Sequence, residues 1–538
     1  MKARRERSNP YGMANPGSAG LAALQIDSWR HPFTRKTLAE LGVLLPDFLA
    51  ARRWFRAKAR SIRETAAEDV LEADGAWILV VQVGYSDGGS DRYLVPVAID
   101  RGAGFTPRGA SAPHLEILAS LESPDGEAGV LYSALWDSAF RDTLLRALAL
   151  NGAFRGSKGD LFAERTRAFE DESSVTGKLE SSLIKAEQSN SSIVYGGRYI
   201  LKLFRKLEPG VNPDAEMGVF LTERGFRYTP EVLGTLQYGT KSETYSAGIL
   251  QRFVKNRGDA WAFTLESLSG FFHRATGGAV DAYAPEPKSF HPLDLSRETP
   301  PAEVRELLGP FAGKIRMLGQ RTAEMHAALC DPDAGPDFAP EPFTREAAAK
   351  AHAGMVAEAN IVFELVRRKQ AALPEDVAAG ARELLRLEYR VAELFSRFRD
   401  FPVSALRIRH HGDFHLGQVL YTGDDFMIID FEGEPSRPLS DRRAKALALR
   451  DVAGMIRSFQ YAAYAALFAE FPDAAARQED IFPALESWAV CWSAWVSGLY
   501  VSAYFSAAGE GAFAGASEQE RRVLLDAFLL EKVLYEVG

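Results

Sequence analysis

The run His411-Gly-Asp-Phe-His-Leu-Gly-Gln418, followed by Ile429-Asp-Phe-Glu-Gly-Glu-Pro435, constrains this chain more than any other feature. Each part follows a short apolar segment, Leu406–His410 and Phe426–Ile429, which reads as a strand. Asp413, Gln418 and Asp430 then stand on loops just after strands, separated by five and twelve residues. A carboxylate base, an amide oxygen and a second carboxylate at that spacing outline a phosphoryl-transfer site. Asp413 can take the proton of an incoming hydroxyl and hold its oxygen in line with a terminal phosphate. Gln418 and Asp430 supply the oxygen ligands that a hard cation such as Mg2+ takes.

A site of this kind also needs a cation for the phosphates that stay behind. Lys202 lies inside the apolar strand Tyr199–Phe204, where a charge needs a partner. Glu216, on a helix entered through Asn212-Pro213, can supply it. The polar link Glu187–Ser192, with Ser189, Asn190, Ser191 and Ser192, offers hydroxyl and backbone N–H donors to ATP phosphates. The strand Gly248–Phe253 leads into a polar stretch ending at Gly258. A hinge is expected at 251–257, with backbone groups of Gln251, Phe253 and Val254 facing adenine.

A charged cluster follows Asp430. Glu432, Glu434, Arg442 and Lys445, with His415 nearer the base, suit a polyhydroxylated acceptor whose hydroxyls must each find a partner. Taken singly, each member also reads as a surface ion pair. Asp451 begins a helix and reads as a cap for the catalytic loop or for its own helix.

The remaining pattern gives an α+β chain. Trp77–Gly84 and Tyr93–Ile99 read as a hairpin, and 113–171 as more helical. A strand-rich lobe spans 178–257. A helical lobe runs over 258–538, with a loop at Pro285–Pro301 and long helices over Asp376–Arg399, Ala444–Phe468 and Ile481–Ala507. The catalytic loops lie in the second lobe, so a nucleotide cleft is expected between the two.

Composition narrows the partners. The chain has 538 residues, 46% of them hydrophobic, enough for several domain-sized cores. Its net charge of -9 favours neither nucleic acid nor an anionic membrane surface. The two cysteines, Cys330 and Cys491, lie in different segments, which fits a reducing compartment. His326 and Cys330, four apart on a helix, are too few ligands for a zinc site. No apolar run reaches the roughly 18 residues that span a bilayer. The chain is read as cytoplasmic, with no membrane or nucleic-acid partner.

The catalytic run, with Arg450-Asp-Val-Ala-Gly454, closely resembles bacterial maltokinase. So do Leu45-Pro-Asp-Phe-Leu49, Arg53-Trp-Phe55, Glu187-Gln-Ser-Asn190, Leu201-Lys-Leu-Phe-Arg205 and Gly258-Asp-Ala-Trp261. The resemblance covers residues 40–536 and implies a bilobal protein-kinase-like fold with an added N-terminal cap domain at 36–177, behind a flexible leader at 1–35. It implies a monomer that transfers the ATP gamma-phosphate to the anomeric hydroxyl of maltose, in α-glucan synthesis from trehalose. Carried over, Asp413 is the base, Gln418 and Asp430 hold Mg2+, and Lys202 with Glu216 steadies the phosphates. His415, Glu432, Glu434, Arg442 and Lys445 meet the sugar. Trehalose synthase is a frequent partner or fusion in this family. Departures are Arg56-Ala57 before Lys58, Leu447-Ala448-Leu449 before Arg450, and an early stop at Gly538. The alternatives are a kinase of another sugar, such as glucosamine or glucose, and a non-catalytic scaffold for trehalose synthase.

Overall fold

The computed structural model describes residues 22–101, 116–169, 179–184, 190–275, 283–472 and 481–538. The chain divides into two compact units. One comprises 1–165, 169–210 and 234–250; the other comprises 166–168, 211–233 and 251–538.

The first unit is built on two sheets. Its strands are β1 (Ala23–Gln25), β2 (Ile62–Ala73), β3 (Ala76–Tyr85), β4 (Ser90–Arg101), β5 (Ile117–Glu122), β6 (Ala128–Ser133), β7 (Ala153–Arg155), β8 (Gly159–Arg165), β9 (Ser181–Leu183), β10 (Asn190–Tyr195), β11 (Tyr199–Phe204), β12 (Lys206–Leu207), β13 (Val232–Thr240) and β14 (Thr244–Arg252). Among the described residues one sheet runs β1-β5-β6-β4-β3-β2, with β12 also on β4. The other runs β7-β8-β13-β14-β11-β10-β9.

Helix α1 (Arg35–Ala50) is started by Thr34, whose hydroxyl accepts from the Thr37 amide. Its Leu41, Leu45, Phe48 and Leu49 recur at helical spacing and are buried with Leu79, Val81 and Val83 of β3 in one core. Helix α2 (Ser138–Leu150) is capped in the same way by Asp137.

Two buried polar residues join the sheets of this unit. Asp69 on β2 accepts from Ser157 N and Oγ (2.7 and 2.9 Å), Gly159 N (2.9 Å) and Tyr238 OH (2.9 Å). Burial pushes this carboxyl up, and the hydrogen bonds from Ser157 and Tyr238 outweigh it, holding it below the usual range. Arg205, 1% exposed, lays its guanidinium 4.1 Å over the Trp54 ring.

Three expectations change here. Residues 23–25, inside the segment read as leader, form β1 and pair in parallel with β5; residues 1–21 lie outside the described set. Within 113–171 the described residues hold β5 to β8 with one α-helix; Leu118, Ala119 and Leu121 of β5 and Leu131 and Tyr132 of β6 are buried in short apolar strands. The hairpin β7–β8 pairs with β13, so the second sheet begins at residue 153, ahead of 178.

The second unit is mostly helical. It contains α3 (Pro213–Glu223), α4 (Ala260–Ala275), α5 (Pro292–Leu295), α6 (Ala302–Leu308), α7 (Phe311–Leu329), α8 (Arg345–Lys369), α9 (Glu375–Arg386), α10 (Glu388–Asp400), α11 (Leu439–Arg442), α12 (Leu449–Glu470), α13 (Phe482–Ala508) and α14 (Glu518–Val537). Its strands are β15 (Glu341–Pro342), β16 (Leu406–Ile408), β17 (Val419–Tyr421), β18 (Phe426–Ile428) and β19 (Ala446–Leu447), in sheets β15-β16-β19 and β17-β18.

Helix α13 is apolar on every side and buried along its length, through Trp488, Trp492, Trp495, Val496 and Tyr500. Helix α7 packs against it at Gly319, where a Cβ would lie 2.4 Å from the Tyr500 carbonyl oxygen. The stretch expected to be an uninterrupted loop at Pro285–Pro301 carries α5, started by His291. Among the described residues no helix is long and apolar enough to cross a membrane.

Candidate active site

The β17–β18 ribbon sets the spacing of the site. Val419 faces Ile428, and the Ile429 amide donates to the Gln418 carbonyl at 3.0 Å. Gln418 and Asp430 therefore leave the same end of the ribbon on opposite strands. Asp430 has a φ of +66°, a left-handed conformation uncommon for a residue with a Cβ. The next amide, that of Phe431, donates to Asp214 Oδ1 at 2.9 Å.

Asp214 stands in the first turn of α3 and is 1% exposed. Carboxylate oxygens of Asp214, Asp430 and Glu432 lie within 4.8 Å of one another. A divalent cation would offset the charge of three carboxylates this close. An all-oxygen donor set suits Mg2+. The sequence reading had Asp430 and Gln418 for this role and missed Asp214. The available signal was two acids two positions apart on α3, which point about 200° apart around a helix of about 3.6 residues per turn.

Glu216 faces the other way. Its carboxylate takes Arg409 Nη1 at 2.8 Å, Arg443 Nη2 at 2.6 Å and Arg443 Nε at 3.0 Å. Burial pushes its carboxyl up, and Arg443 and Arg409 outweigh this, holding it below the usual range. Glu216, expected to hold Lys202, accepts from these two arginines. Lys202 lies on β11 opposite Ser192 on β10. The strand expected to begin at Ser192 begins at Asn190, so Asn190 and Ser191, expected in the link before it, lie with Ser192 on β10 and are buried; Ser189 lies outside the described residues. Gln251 falls at the end of β14, and Phe253 and Val254 in the following turn, where the Val254 carbonyl accepts from Asn256 Nδ2 at 2.9 Å.

The loop carrying Asp413 is fixed from beneath. Asp451, 2% exposed on α12, accepts from the backbone amides of His411 (2.7 Å) and Gly412 (2.9 Å). His326 Nε2 lies 3.1 Å from the same carboxylate, and its Nδ1 lies 2.9 Å from Tyr504 OH. Asp451 caps the loop that carries Asp413, one of the two roles read from the sequence. Gly412 has a φ of +83°, which lets the chain turn there without strain. The His411 ring reaches the Ile429 carbonyl at 2.9 Å, tying the Asp413 loop to the Asp430 loop.

Burial pushes the Asp413 carboxyl above the usual carboxylate range; Glu434 adds to this, and His415 and Lys532 work against it. Burial holds the His415 imidazole below its usual value. Its Nδ1 accepts from the Gly417 amide at 3.0 Å, which assigns the ring proton to Nε2, 4.0 Å from Asp413 Oδ2.

The charged cluster separates into two groups. Glu434 accepts from Tyr535 OH at 3.1 Å, and Lys532 Nζ lies 3.9 Å from Asp413 Oδ1. Both new residues come from α14 and read in sequence as an ordinary solvated helix face. Arg442 is buried and donates to the carbonyls of Arg437 (3.1 Å) and Glu432 (3.2 Å). Lys445 donates to the Pro336 carbonyl (2.6 Å) and Glu341 (2.8 Å), so its ammonium faces the β15–β16–β19 sheet.

The fold is protein-kinase-like, and the similarities that follow support an enzyme of the aminoglycoside-phosphotransferase and maltokinase superfamily. Residues 48–137 match the maltokinase N-terminal cap domain. Relatives include a glucosamine kinase of Mycolicibacterium smegmatis, 25% identical over 284 residues, covering 53% of this chain and 59% of the relative. A glucosamine kinase of Streptacidiphilus jiangxiensis is 26% identical over 348 residues, covering 64% and 66%. The matched region thus spans less than two thirds of these relatives. A solved glucosamine kinase in complex with glucosamine, ADP and inorganic phosphate superposes with a TM-score of 0.56 at 19% identity, covering 91% of this chain and 93% of that one. At that identity the likeness shows the fold.

Proposed function

We propose that this chain is an ATP- and Mg2+-dependent sugar kinase that phosphorylates the anomeric hydroxyl of maltose, giving α-maltose 1-phosphate and ADP. The observation that carries the reading is the coincidence of the maltokinase cap at 48–137 with Asp413, Gln418 and Asp430 on one tied pair of loops. In this reading Asp413 takes the acceptor proton, and His411 and Asp451 fix the position from which it does so. Lys202 grips phosphate oxygens, with donors from Ser189, Asn190, Ser191 and Ser192. Gln251, Phe253 and Val254 meet adenine.

Gln418 and Asp430 would hold Mg2+, with Asp214 and Glu432 beside Asp430 as further oxygen ligands. The bound cation would neutralise charge on the transferred phosphoryl group. His415 and Glu434 meet the sugar. Arg442, Lys445 and Glu216 brace the walls behind them. The protein acts as a cytoplasmic monomer alongside trehalose synthase, whose product it consumes in α-glucan synthesis.

A second reading is a glucosamine kinase, favoured by the relatives that share this fold. Purified protein with ATP, Mg2+ and a panel of maltose, glucose, glucosamine and trehalose decides between them by kcat/KM. NMR of the product reports the phosphorylated position. No phosphorylated maltose at saturation removes the first reading; loss of all transfer with retained folding leaves the scaffold.

A further inference from the structure

We propose that Lys532 and Tyr535, on the last helix α14, form part of the acceptor pocket. In this arrangement Lys532 donates to a sugar oxygen beside the hydroxyl that Asp413 deprotonates. The inference rests on the sugar-kinase reading above and assigns it a wall that the sequence did not suggest.

Lys532 Nζ is 3.9 Å from Asp413 Oδ1, too long for a direct hydrogen bond and short enough for both to reach one intervening oxygen. The same ammonium lies 4.9 Å over the Tyr535 ring, and Tyr535 OH donates to Glu434 Oε1 at 3.1 Å. A donor cation, a phenol and a carboxylate therefore surround the open side of the base. Lone pairs and hydroxyl protons of a sugar match this mixture. Neither side chain is consumed by packing: Lys532 is 31% exposed and Tyr535 40% exposed, while Leu524, Leu525, Phe528 and Leu534 anchor the helix.

The placement is also rigid. Glu531, next to Lys532, takes Arg450 of α12 at 2.5 Å, and Glu536 takes Arg457 of α12 at 2.6 Å. Asp451, which holds the His411 and Gly412 amides, is on that same helix. Helix α14 and the catalytic loop thus share one support, and Lys532 is registered to Asp413 through it.

The test compares Lys532→Met, Lys532→Arg and Tyr535→Phe with wild type, in initial rates with ATP and the sugar that the wild type phosphorylates best. The expected result is an acceptor KM raised at least about tenfold in Lys532→Met and about threefold in Tyr535→Phe, with ATP KM within about twofold. Lys532→Arg should recover much of the loss. The titratable and charged groups facing Asp413 are His411, His415, Glu434, Lys532 and Tyr535. Removing the one ammonium among them should also move the acid limb of kcat/KM to higher pH, a change that lost packing would not cause. Acceptor KM within twofold in both Lys532→Met and Tyr535→Phe overturns the inference alone. A wild type that phosphorylates no sugar in the panel overturns the kinase reading and this inference with it.

Discussion

The Phe431 amide donates to Asp214 Oδ1 at 2.9 Å, across 217 residues of chain. This bond holds the backbone immediately after Asp430 while Asp430 itself sits at a φ of +66°. Asp214 therefore has two tasks: fixing a strained turn and adding a third carboxylate to the Asp430 and Glu432 pair. Asp214→Asn keeps one acceptor for the amide and loses the charge. It should weaken apparent Mg2+ affinity about 10- to 100-fold. Glu216→Gln should lower stability and leave the Mg2+ requirement within a few-fold, because its partners are Arg409 and Arg443. Calorimetric titration of Mg2+ with ADP reads both without any acceptor.

Asp413 gives a prediction of opposite signs for activity and stability. Burial raises its carboxyl above the usual value, so ionised Asp413 disfavours the folded state once pH exceeds that raised pKa. Asp413→Asn should raise Tm at pH 7 while lowering kcat by about 10²- to 10⁴-fold. The wild-type acid limb of kcat/KM should lie above about pH 4, the ordinary Asp value. An Asn variant that keeps a tenth of wild-type kcat would show that another group takes the proton.

The placement of the candidate residues was legible because it rests on local sequence. Asp413, Gln418 and Asp430 follow strands read at Leu406–His410 and Phe426–Ile429, and the strands fall at Leu406–Ile408 and Phe426–Ile428. Asp451 was legible as a cap because a carboxylate near a helix start readily accepts from backbone amides. Asp214 was not, since an acid after Asn212-Pro213 reads as ordinary helix-start chemistry, and its second role depends on a loop 217 residues away. Lys532 and Tyr535 failed for the same reason. A lysine and a tyrosine on an amphipathic helix carry no local sign of what they face. The β7–β8 hairpin escaped because short strands and helix segments share one apolar pattern.

Asp451 gives a pH-dependent stability. Burial pushes its carboxyl up, and His410, His326 and His411 outweigh this and hold it well below the usual range. A depressed acid stabilises the fold at any pH above its unfolded value, about 3.9, and loses that contribution as pH falls through the folded value. Asp451→Asn should cost about 3 kcal/mol at pH 7, because one amide of the loop loses its acceptor and His326 loses a partner. The gap between variant and wild type should begin to narrow below about pH 4 and go on narrowing as pH falls towards the folded value. Denaturant melts at pH 7 and pH 3.5 test this. A gap that is constant with pH would mean that the carboxylate is held by shape and not by charge.

Gly454 offers the sharpest separation of support from chemistry. It lies on α12, one helical turn beyond Asp451, and a Cβ there would stand 2.7 Å from the Phe414 carbonyl oxygen. That oxygen is backbone, one residue from Asp413, and cannot swing aside like a side chain. Gly454→Ala must therefore push the Asp413 loop off α12 while Asp451 continues to hold its other end. A displacement of about 1 Å in a reacting group can lower rate about 10²-fold. We expect kcat to fall by at least tenfold, with nucleotide affinity within about twofold. The control is Gly380 on α9, where a Cβ meets nothing within 4 Å. Gly380→Ala should leave kcat unchanged and raise stability by up to about 1 kcal/mol through helix propensity alone. If Gly454→Ala behaves like Gly380→Ala in both measurements, the helix does not set the position of Asp413, and the common support inferred for the loop and α14 falls with it.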